Sequence, residues 1–323
     1  MECRGKLLVV VNPISGTHSK KGLKERLGSL LSEAGFDVTA ETTRYAGHAS
    51  ELSRKAVSDG YRGVIVCGGD GTVNEVASQL VGTDVAMGIV PCGSGNGLAR
   101  HADIAADVEK AARIIDAEDI RVCDYGTVNG KPFFCTFGMG FDAAVSDRFA
   151  AAASRGKMAY IKSALHEFVN YKARNYRIVA DGNELNVNAM IVAVCNANQY
   201  GNNAYIAPRA SITDGLLDLV IVRDMSKLKT VLAGMELMAG TIFDNSNVLH
   251  YPVRNVTIET DSAASAHVDG EPYHFDGTTF SVECHPGKLK LFANPQKAAF
   301  RPIVTPVQSM INDIESSVRH LLK

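Results

Sequence analysis

Hydrophobic periodicity changes character once along this chain, at about Asp124, and that break limits the fold more than any single motif does. Before it, short apolar runs alternate with amphipathic stretches, the pattern of a parallel sheet covered by helices. Strands are predicted over Lys6 to Val11, Asp37 to Thr42, Gly63 to Cys67 and Ala86 to Val90. Helices are predicted over Ser19 to Glu33, Ala49 to Ser58, Thr72 to Leu80 and Val108 to Ile115. Gly35 and Gly60 stand where helix C-caps belong. After Asp124 the runs read as strands: Tyr125 to Val128, Phe133 to Phe137, Tyr176 to Ala180, Ala189 to Cys195, Leu217 to Val222, Val253 to Glu259, Thr279 to Glu283 and Lys288 to Phe292. Turn pairs punctuate them at Asn129-Gly130, Asp181-Gly182, Asp269-Gly270 and Asp276-Gly277. Such a series predicts an antiparallel sandwich, interrupted by helices near Met158 to Tyr171 and Lys227 to Ala239.

A length of 323 residues exceeds one ordinary core and favours two. The expected division is an α/β domain over 1–124, a β-sandwich domain over 125–294 and a C-terminal segment over 295–323. That segment sets Val307, Met310, Ile311, Ile314, Val318 and Leu321 on one helical face, which predicts a helix docked back on the first domain. An apolar fraction of 46% and a net charge of −2 describe a globular protein without the basic excess of a dedicated nucleic-acid binder. The seven cysteines are scattered, with no CxxC pair, as expected of a reducing cytosol. The run from Leu7 to Val11 is too short for a secretory signal, and no run is long enough to span a bilayer. A cytoplasmic location is the expectation.

The residues that carry chemistry sit where the predicted strands end. Gly68-Gly69-Asp70-Gly71-Thr72 follows one strand and opens a helix with Val73-Asn74-Glu75. Glycine lets backbone N–H groups approach a polyphosphate closely, and a helix N-terminus adds favourable partial charge. Phosphate would repel Asp70, so its carboxylate is expected to face a magnesium ion or that ion's water shell. A capped strand-to-helix turn is the plain structural alternative. A second cluster, Gly93-Ser94-Gly95-Asn96-Gly97, precedes Leu98-Ala99-Arg100, and a third, Asn12-Pro13-Ile14-Ser15-Gly16, ends the first strand. All three lie at strand C-terminal ends, where an open α/β sheet binds its ligand. Neither GxxxxGK[ST], nor GxGxxG after the first strand, nor the HRD and DFG elements of protein kinases occurs.

In its motifs and their order the sequence resembles the bacterial diacylglycerol kinase and sphingosine kinase superfamily of lipid kinases. The motifs are Asn12 to Gly16, Gly68 to Glu75 (GGDGTVNE), Pro91 to Arg100 (PCGSGNGLAR), Asp124-Tyr125-Gly126, Gly138-Met139-Gly140-Phe141-Asp142, Ser211 to Leu217 (SITDGLL) and Val268-Asp269-Gly270-Glu271. The resemblance implies a phosphofructokinase-like α/β domain that binds nucleotide, a β-sandwich that takes the lipid, and ATP meeting lipid between them. It implies phosphate contacts from Asn12, Pro13, Ser15, Gly16, Thr43, Gly68, Gly69, Gly71, Thr72, Asn74, Glu75, Gly93, Ser94, Gly95 and Asn96. Asp70 and Asp124 would organise Mg²⁺ and water, and Glu271, supported by Asp269, would accept the proton of the lipid hydroxyl. A second, structural Mg²⁺ would be held by the backbone of Ser211 and Leu216 and the carboxylate of Asp214. Many bacterial diacylglycerol kinases carry aspartate after the asparagine of the second glycine loop and sphingosine kinases often a small residue; this chain has Gly97, which leaves the choice of lipid open and removes one carboxylate from the implied magnesium network.

Phosphoryl transfer needs positioning and charge neutralisation more than covalent help, so these parts suit it. Read without the resemblance, Asp269-Gly270 is equally a hairpin turn. The stretch Phe133-Phe134, Phe137, Met139 and Phe141 could line an acyl-chain cleft but reads more readily as sandwich core. Seven basic residues against one acidic residue between Arg148 and Arg177 could hold the chain at an anionic membrane surface or be a solvated face. Peripheral membrane contact follows if the substrate is a lipid; homodimerisation is left open. Two other readings stay in play, an NAD kinase, whose family shares GGDGT and a β-rich second domain, and a nucleotide-binding regulator without catalysis. No histidine falls at metal-ligand spacing, and His267 and His274, which flank the Asp269 turn, receive no role.

Overall fold

The computed structural model describes residues 3–16, 22–151, 171–262, 265–275 and 277–294; the side chains of 149–151 are not described. The predicted C-terminal helix, the helix near Met158 to Tyr171 apart from its last residue, and the first residues of the helix predicted from Ser19 lie outside the described residues.

The first unit is a parallel sheet. Strands β1 (Lys6–Val11), β2 (Asp37–Thr42), β3 (Gly63–Gly68) and β4 (Ala86–Pro91) run in the order β2-β1-β3-β4, all parallel. Both faces of β3 and β4 are buried, which is why they read as unbroken apolar runs and not as alternation. Helices α1 (Leu23–Glu33), α2 (His48–Ser58), α3 (Asp70–Leu80), α4 (Gly97–His101) and α5 (Val108–Asp116) connect and cover them. Leu27 and Leu31 of α1 and Ile114 and Ile115 of α5 pack into one core with the strands. At the start of α5, Asp107 accepts the amide of Lys110 at 2.8 Å, an N-cap that satisfies one orphan donor.

The second unit is antiparallel. Its strands are β5 (Ile120–Val128), β6 (Lys131–Phe133), β7 (Thr136–Gly140), β8 (Arg174–Ala180), β9 (Asn183–Cys195), β10 (Leu217–Arg223), β11 (Val248–Val253), β12 (Asn255–Thr260), β13 (Ser265–Val268), β14 (Glu271–His274) and β15 (Thr279–Phe292). Helix α6 (Phe141–Ala151) follows β7, and α7 (Lys227–Ala239) follows β10. Alternate residues of β9 and β10 serve two cores. Val192, Val194, Leu219 and Ile221 face the interior between the sheets, while Ala193, Val220 and Val222 face Ala233 and Leu237 of α7. The expected fold class, an α/β unit followed by a β-sandwich, holds.

Several expectations are corrected. The strand predicted over Phe133 to Phe137 is two strands parted at Phe134-Cys135, and that over Val253 to Glu259 belongs to β11 and β12, which part at Arg254. Conversely, the two runs from Thr279 form one strand, whose register shifts between His285 and Leu289 around Gly287 at φ 60°. Helix α6 and the hairpin β13-β14 are additions to the sequence reading. The Asn129-Gly130, Asp181-Gly182 and Asp269-Gly270 pairs all have positive φ at both residues, the geometry of tight hairpin turns. Phe133, Phe134, Phe137 and Met139 are buried, as the core reading expects, with Phe134 in the core of the first unit. Arg177 in the basic stretch is engaged by Glu184 and Glu259.

Strand β15 joins the units. Its C-terminal half pairs antiparallel with β5 and, through Leu291 opposite Met87, parallel with β4. Gly63 of β3 is crowded by this seam: a Cβ there would stand 2.9 Å from a ring carbon of Phe292.

Candidate active site

Because β1, β3 and β4 are neighbours in the sheet, the loops that leave their C-terminal ends must meet. The amide of Asn12 donates to Cys67 O at 2.9 Å, and that of Cys92 to Gly68 O at 2.8 Å, which ties the three loops edge to edge. The side-chain amide of Asn12 donates to Thr72 Oγ1 at 2.8 Å. Thr43, at the end of β2, donates its amide to Val11 O at 2.9 Å on the same edge. The loops pack backbone on backbone. A Cβ on Gly16 would overlap Cys92 O, and one on Gly93 would lie 2.6 Å from the Cα of Gly69, so side chains cannot fit there. Asn96, held at φ 55°, closes its own loop by accepting the amide of Gly93 at 2.9 Å and donating to Gly93 O at 2.7 Å. Ser15 donates to Asn12 O at 3.3 Å, and Pro13 and Ser94 lie in the same loops, accessible to solvent.

Helix α3 opens at this junction behind Gly69, an N-cap with no side chain to bond the amides of the first turn. Amides so left are a ready anion site, and the close glycine packing keeps it open to a phosphate chain. The residues present therefore fit a nucleotide's phosphates.

Asp70 crosses from α3 to the second glycine loop. Its Oδ2 accepts the amide of Asn96 at 2.8 Å and its Oδ1 that of Gly97 at 2.7 Å. Burial pushes its carboxyl up to about 6, against the pull of those two amides, and the nearby charge of Asp269 adds to the rise. A carboxylate that is costly to ionise in place, beside an anion site, is suited to a hard cation that would restore its charge. Position 97 is crowded: a Cβ there would lie 3.1 Å from Cys135 Sγ and 3.2 Å from Gln199 O. Here the Cys135 thiol occupies the space.

The opposite wall comes from the second unit. Asp269, at φ 51° in the β13-β14 turn, is buried. Its Oδ1 accepts the amides of Cys135 at 2.7 Å and Thr136 at 3.0 Å, and its Oδ2 those of Phe134 at 3.0 Å and the Asn74 side chain at 2.8 Å. Burial raises its carboxyl although each of these donors opposes the rise. Asn74 also donates to Pro132 O at 3.1 Å, so one residue of α3 clamps the sandwich twice. Two residues beyond Asp269, the exposed Glu271 leans on the helix start: a Cβ on Gly71 would come 3.3 Å from Glu271 Oε1. The turn therefore delivers a solvated carboxylate to the mouth of the uncapped helix.

Glu75 and Asp124 are placed differently from the rest. Glu75 accepts the amide of Gly47 at 3.0 Å and so braces the start of α2. Asp124 is buried in β5, with Oδ2 on the amide of Gly215 and Oδ1 on that of Gly287, both at 2.7 Å. The structure thus joins Asp124 to the Ser211 to Leu216 loop and not to the amides that hold Asp70. In that loop Asp214 accepts the amide of Leu216 at 3.1 Å; burial, then Asp218 and Asp124, raise its carboxyl. A carboxylate with backbone carbonyls is a donor set for Mg²⁺ or Ca²⁺. Among the described residues no three His, Cys, Asp or Glu side chains gather as a metal site, so any ion here or at Asp70 would rely on backbone, phosphate or water oxygens.

The sequence reading gives Asp142 no role beyond its place in a motif, and gives none to His267 or Tyr200. The structure joins them in a cluster, with Asp142 and His267 buried and Tyr200 half-buried, directly behind the Asp269 turn. Asp142 stands 58 residues from Tyr200 and 125 from His267, separations that carry no local signal.

A model of the diacylglycerol kinase catalytic domain matches residues 6–128, and a model described as the YegS C-terminal NAD kinase beta sandwich-like domain matches residues 136–293. A probable lipid kinase YegS-like protein of Chromohalobacter salexigens is 30% identical over 277 residues, 84% of this chain and 88% of the relative. The chain belongs to the diacylglycerol kinase family. A second family member, a diacylglycerol kinase of Mycobacterium tuberculosis, is 30% identical over 275 residues, covering 83% of this chain and 89% of its own. The crystal structure of a putative diacylglycerol kinase from Bacillus anthracis str. Sterne shares the fold, with a TM-score of 0.75, 22% identity and coverage of 91% of this chain and 99% of that one. The diacylglycerol kinase family is a family of kinases, so this chain is an enzyme. Among the described residues no helix is long and apolar enough to cross a membrane.

Proposed function

We propose that this enzyme transfers the γ-phosphoryl group of ATP to the hydroxyl of a lipid at a membrane surface. The observation that carries the reading is the approach of Glu271 to Gly71, which sets a carboxylate of the sandwich against the uncapped start of α3. The amides around Gly69, Gly71 and Thr72 and those of Ser94 and Gly95 would hold the phosphate chain, with Asn12 and Thr43 at its border and with Gly93 and Asn96, whose amides are engaged within the loop and by Asp70, shaping it. Asp70 would face the Mg²⁺, which when bound supplies charge neutralisation on the phosphate oxygens. Glu271 would take the proton of the attacking hydroxyl, a role that geometry must satisfy before pKa does. Asp269 holds the turn that presents Glu271, and Asp124 shapes the loop of Ser211, Asp214 and Leu216, where a second ion would be structural.

A lipid substrate requires a way to the membrane. Leu228, Val231, Leu232 and Met235 are exposed and fall at helical spacing along α7, on the side away from Ala233 and Leu237. Lys227 and Lys229 flank the N-terminal end of this apolar face, an arrangement complementary to an anionic lipid surface. Incubation with labelled ATP and Mg²⁺, with a total lipid extract in one tube and NAD in another, separates a lipid kinase from an NAD kinase. Label in organic-phase lipid supports the proposal, label in NADP replaces it with the second, and ATP binding without transfer to either leaves a regulator.

A further inference from the structure

A chain of hydrogen bonds runs behind the turn that carries Glu271. Asp142, in the first turn of α6, and His267, in β13, are both nearly inaccessible to solvent. The Tyr200 hydroxyl donates to Asp142 Oδ2 at 2.7 Å, and His267 Nε2 lies 3.2 Å from the same oxygen. Asp142 Oδ1 accepts the amide of Ala143 at 2.8 Å. On the far side of the imidazole, the amide of Gly270 donates to His267 Nδ1 at 3.3 Å. An amide can donate only to an unprotonated nitrogen, so the proton of the neutral ring sits on Nε2 and points at Asp142. The carboxylate thereby selects the tautomer that can receive Gly270, the residue immediately before Glu271.

Two glycines admit this arrangement. A Cβ on Gly138 would overlap both Asp142 Oδ2 and His267 Nε2. At the other end, a Cβ on Gly201 would lie 2.7 Å from Gly95, and the amide of Asn202 donates to Gly95 O at 3.4 Å. Tyr200 thus abuts the second glycine loop. The path runs from Gly95 by way of Tyr200, Asp142 and His267 to Gly270.

We propose that Asp142 and His267 are positioning residues that set the Gly270 backbone, and with it the Glu271 carboxylate, against the start of α3, and that Tyr200 ties this setting to the second glycine loop. The proposal rests on the reading of Glu271 as proton acceptor. A shift of about 1 Å in such a group is worth roughly 100-fold in rate, which sets the scale expected for losing its support.

The test measures kcat and KM for ATP and for lipid in H267L, H267N and D142N, alone and combined with E271Q, together with thermal unfolding. H267L and D142N should lower kcat for lipid phosphorylation by about 10- to 100-fold, with the KM for ATP within about twofold of the parent. H267N, whose side-chain carbonyl can still accept the Gly270 amide, should recover most of the H267L loss. On the E271Q background H267L should cost little more, because the group it positions is already gone. Full lipid activity in H267L, the same fractional loss with and without Glu271, or no recovery by H267N in a protein that melts like the parent would overturn the inference. An active E271Q would instead overturn the assignment of Glu271, so the two failures are distinct.

Discussion

Asp70 Oδ1 accepts the amide of Gly97 at 2.7 Å, so the aspartate of the GGDGT motif is anchored by the backbone of the second glycine loop. The anchor is backbone and does not itself need glycine. What crowds a side chain there is Cys135, whose Sγ would stand 3.1 Å from a Cβ at position 97, together with Gln199 O at 3.2 Å. G97D should therefore lower stability by about 1–3 kcal/mol, and adding C135A should recover part of that loss. Urea unfolding of the parent, both single variants and the double variant measures the coupling; additive effects would show that the thiol is not the obstacle.

Asp70 also makes a pH signature in the metal-free protein. Its carboxyl, ordinarily at 3.8, is held at about 6 in the folded state by burial. A raised carboxyl favours the folded state when protonated, so its contribution is fully present below 3.8 and is lost as pH rises through about 6. The unfolding free energy of the parent minus that of D70N should thus fall as pH rises from roughly 4 to roughly 6.5 and be flat above. A difference that stays flat with pH would remove the shift.

Asp269 gathers three backbone amides and the Asn74 side chain. Removing the acceptor leaves buried donors without partners, so D269A should cost roughly 2–4 kcal/mol in chemical denaturation. D269N, which keeps one acceptor oxygen, should cost less. Near-parent stability of D269A would mean that water replaces the carboxylate.

Glu271 makes little of the fold, being exposed at a hairpin end. E271A should leave the unfolding midpoint and the Kd for ATP close to the parent values while lowering kcat by about 100-fold or more. Isothermal titration with ATP and a single-turnover assay check the two halves. Parent-like turnover in E271A would reject the proton-acceptor role.

The outer face of α7 predicts a surface effect. L228E/M235E should weaken sedimentation with phosphatidylglycerol vesicles and slow turnover of vesicle-borne lipid, with little change on a short-chain lipid in solution. Unchanged vesicle binding with a shift from dimer to monomer in light scattering would assign the face to a second copy of the chain.

The alternation of Val, Ile and Leu runs with glycine-terminated helical stretches made the four parallel strands legible, because strands buried on both faces have to be apolar throughout. The glycine loops were legible for a related reason: backbone packed on backbone at Gly16, Gly69 and Gly93 excludes larger residues. Helix α6 was hidden because its alanines leave no clear polar face after the apolar run of β7, and β13-β14 because two four-residue strands are too short to show alternation.

The amino-acid order alone determined where the glycine loops would lie, since strand ends and glycines are local features. Which carboxylates face which partners was decided by the tertiary structure. Asp124 joins Gly215 and Gly287, and Glu271 reaches Gly71 because Asn74 and three amides of the second unit hold the Asp269 turn. The hydrogen bonds among these pairings join groups between 91 and 195 residues apart in the chain, and their mutual affinity is electrostatic and leaves no periodic trace.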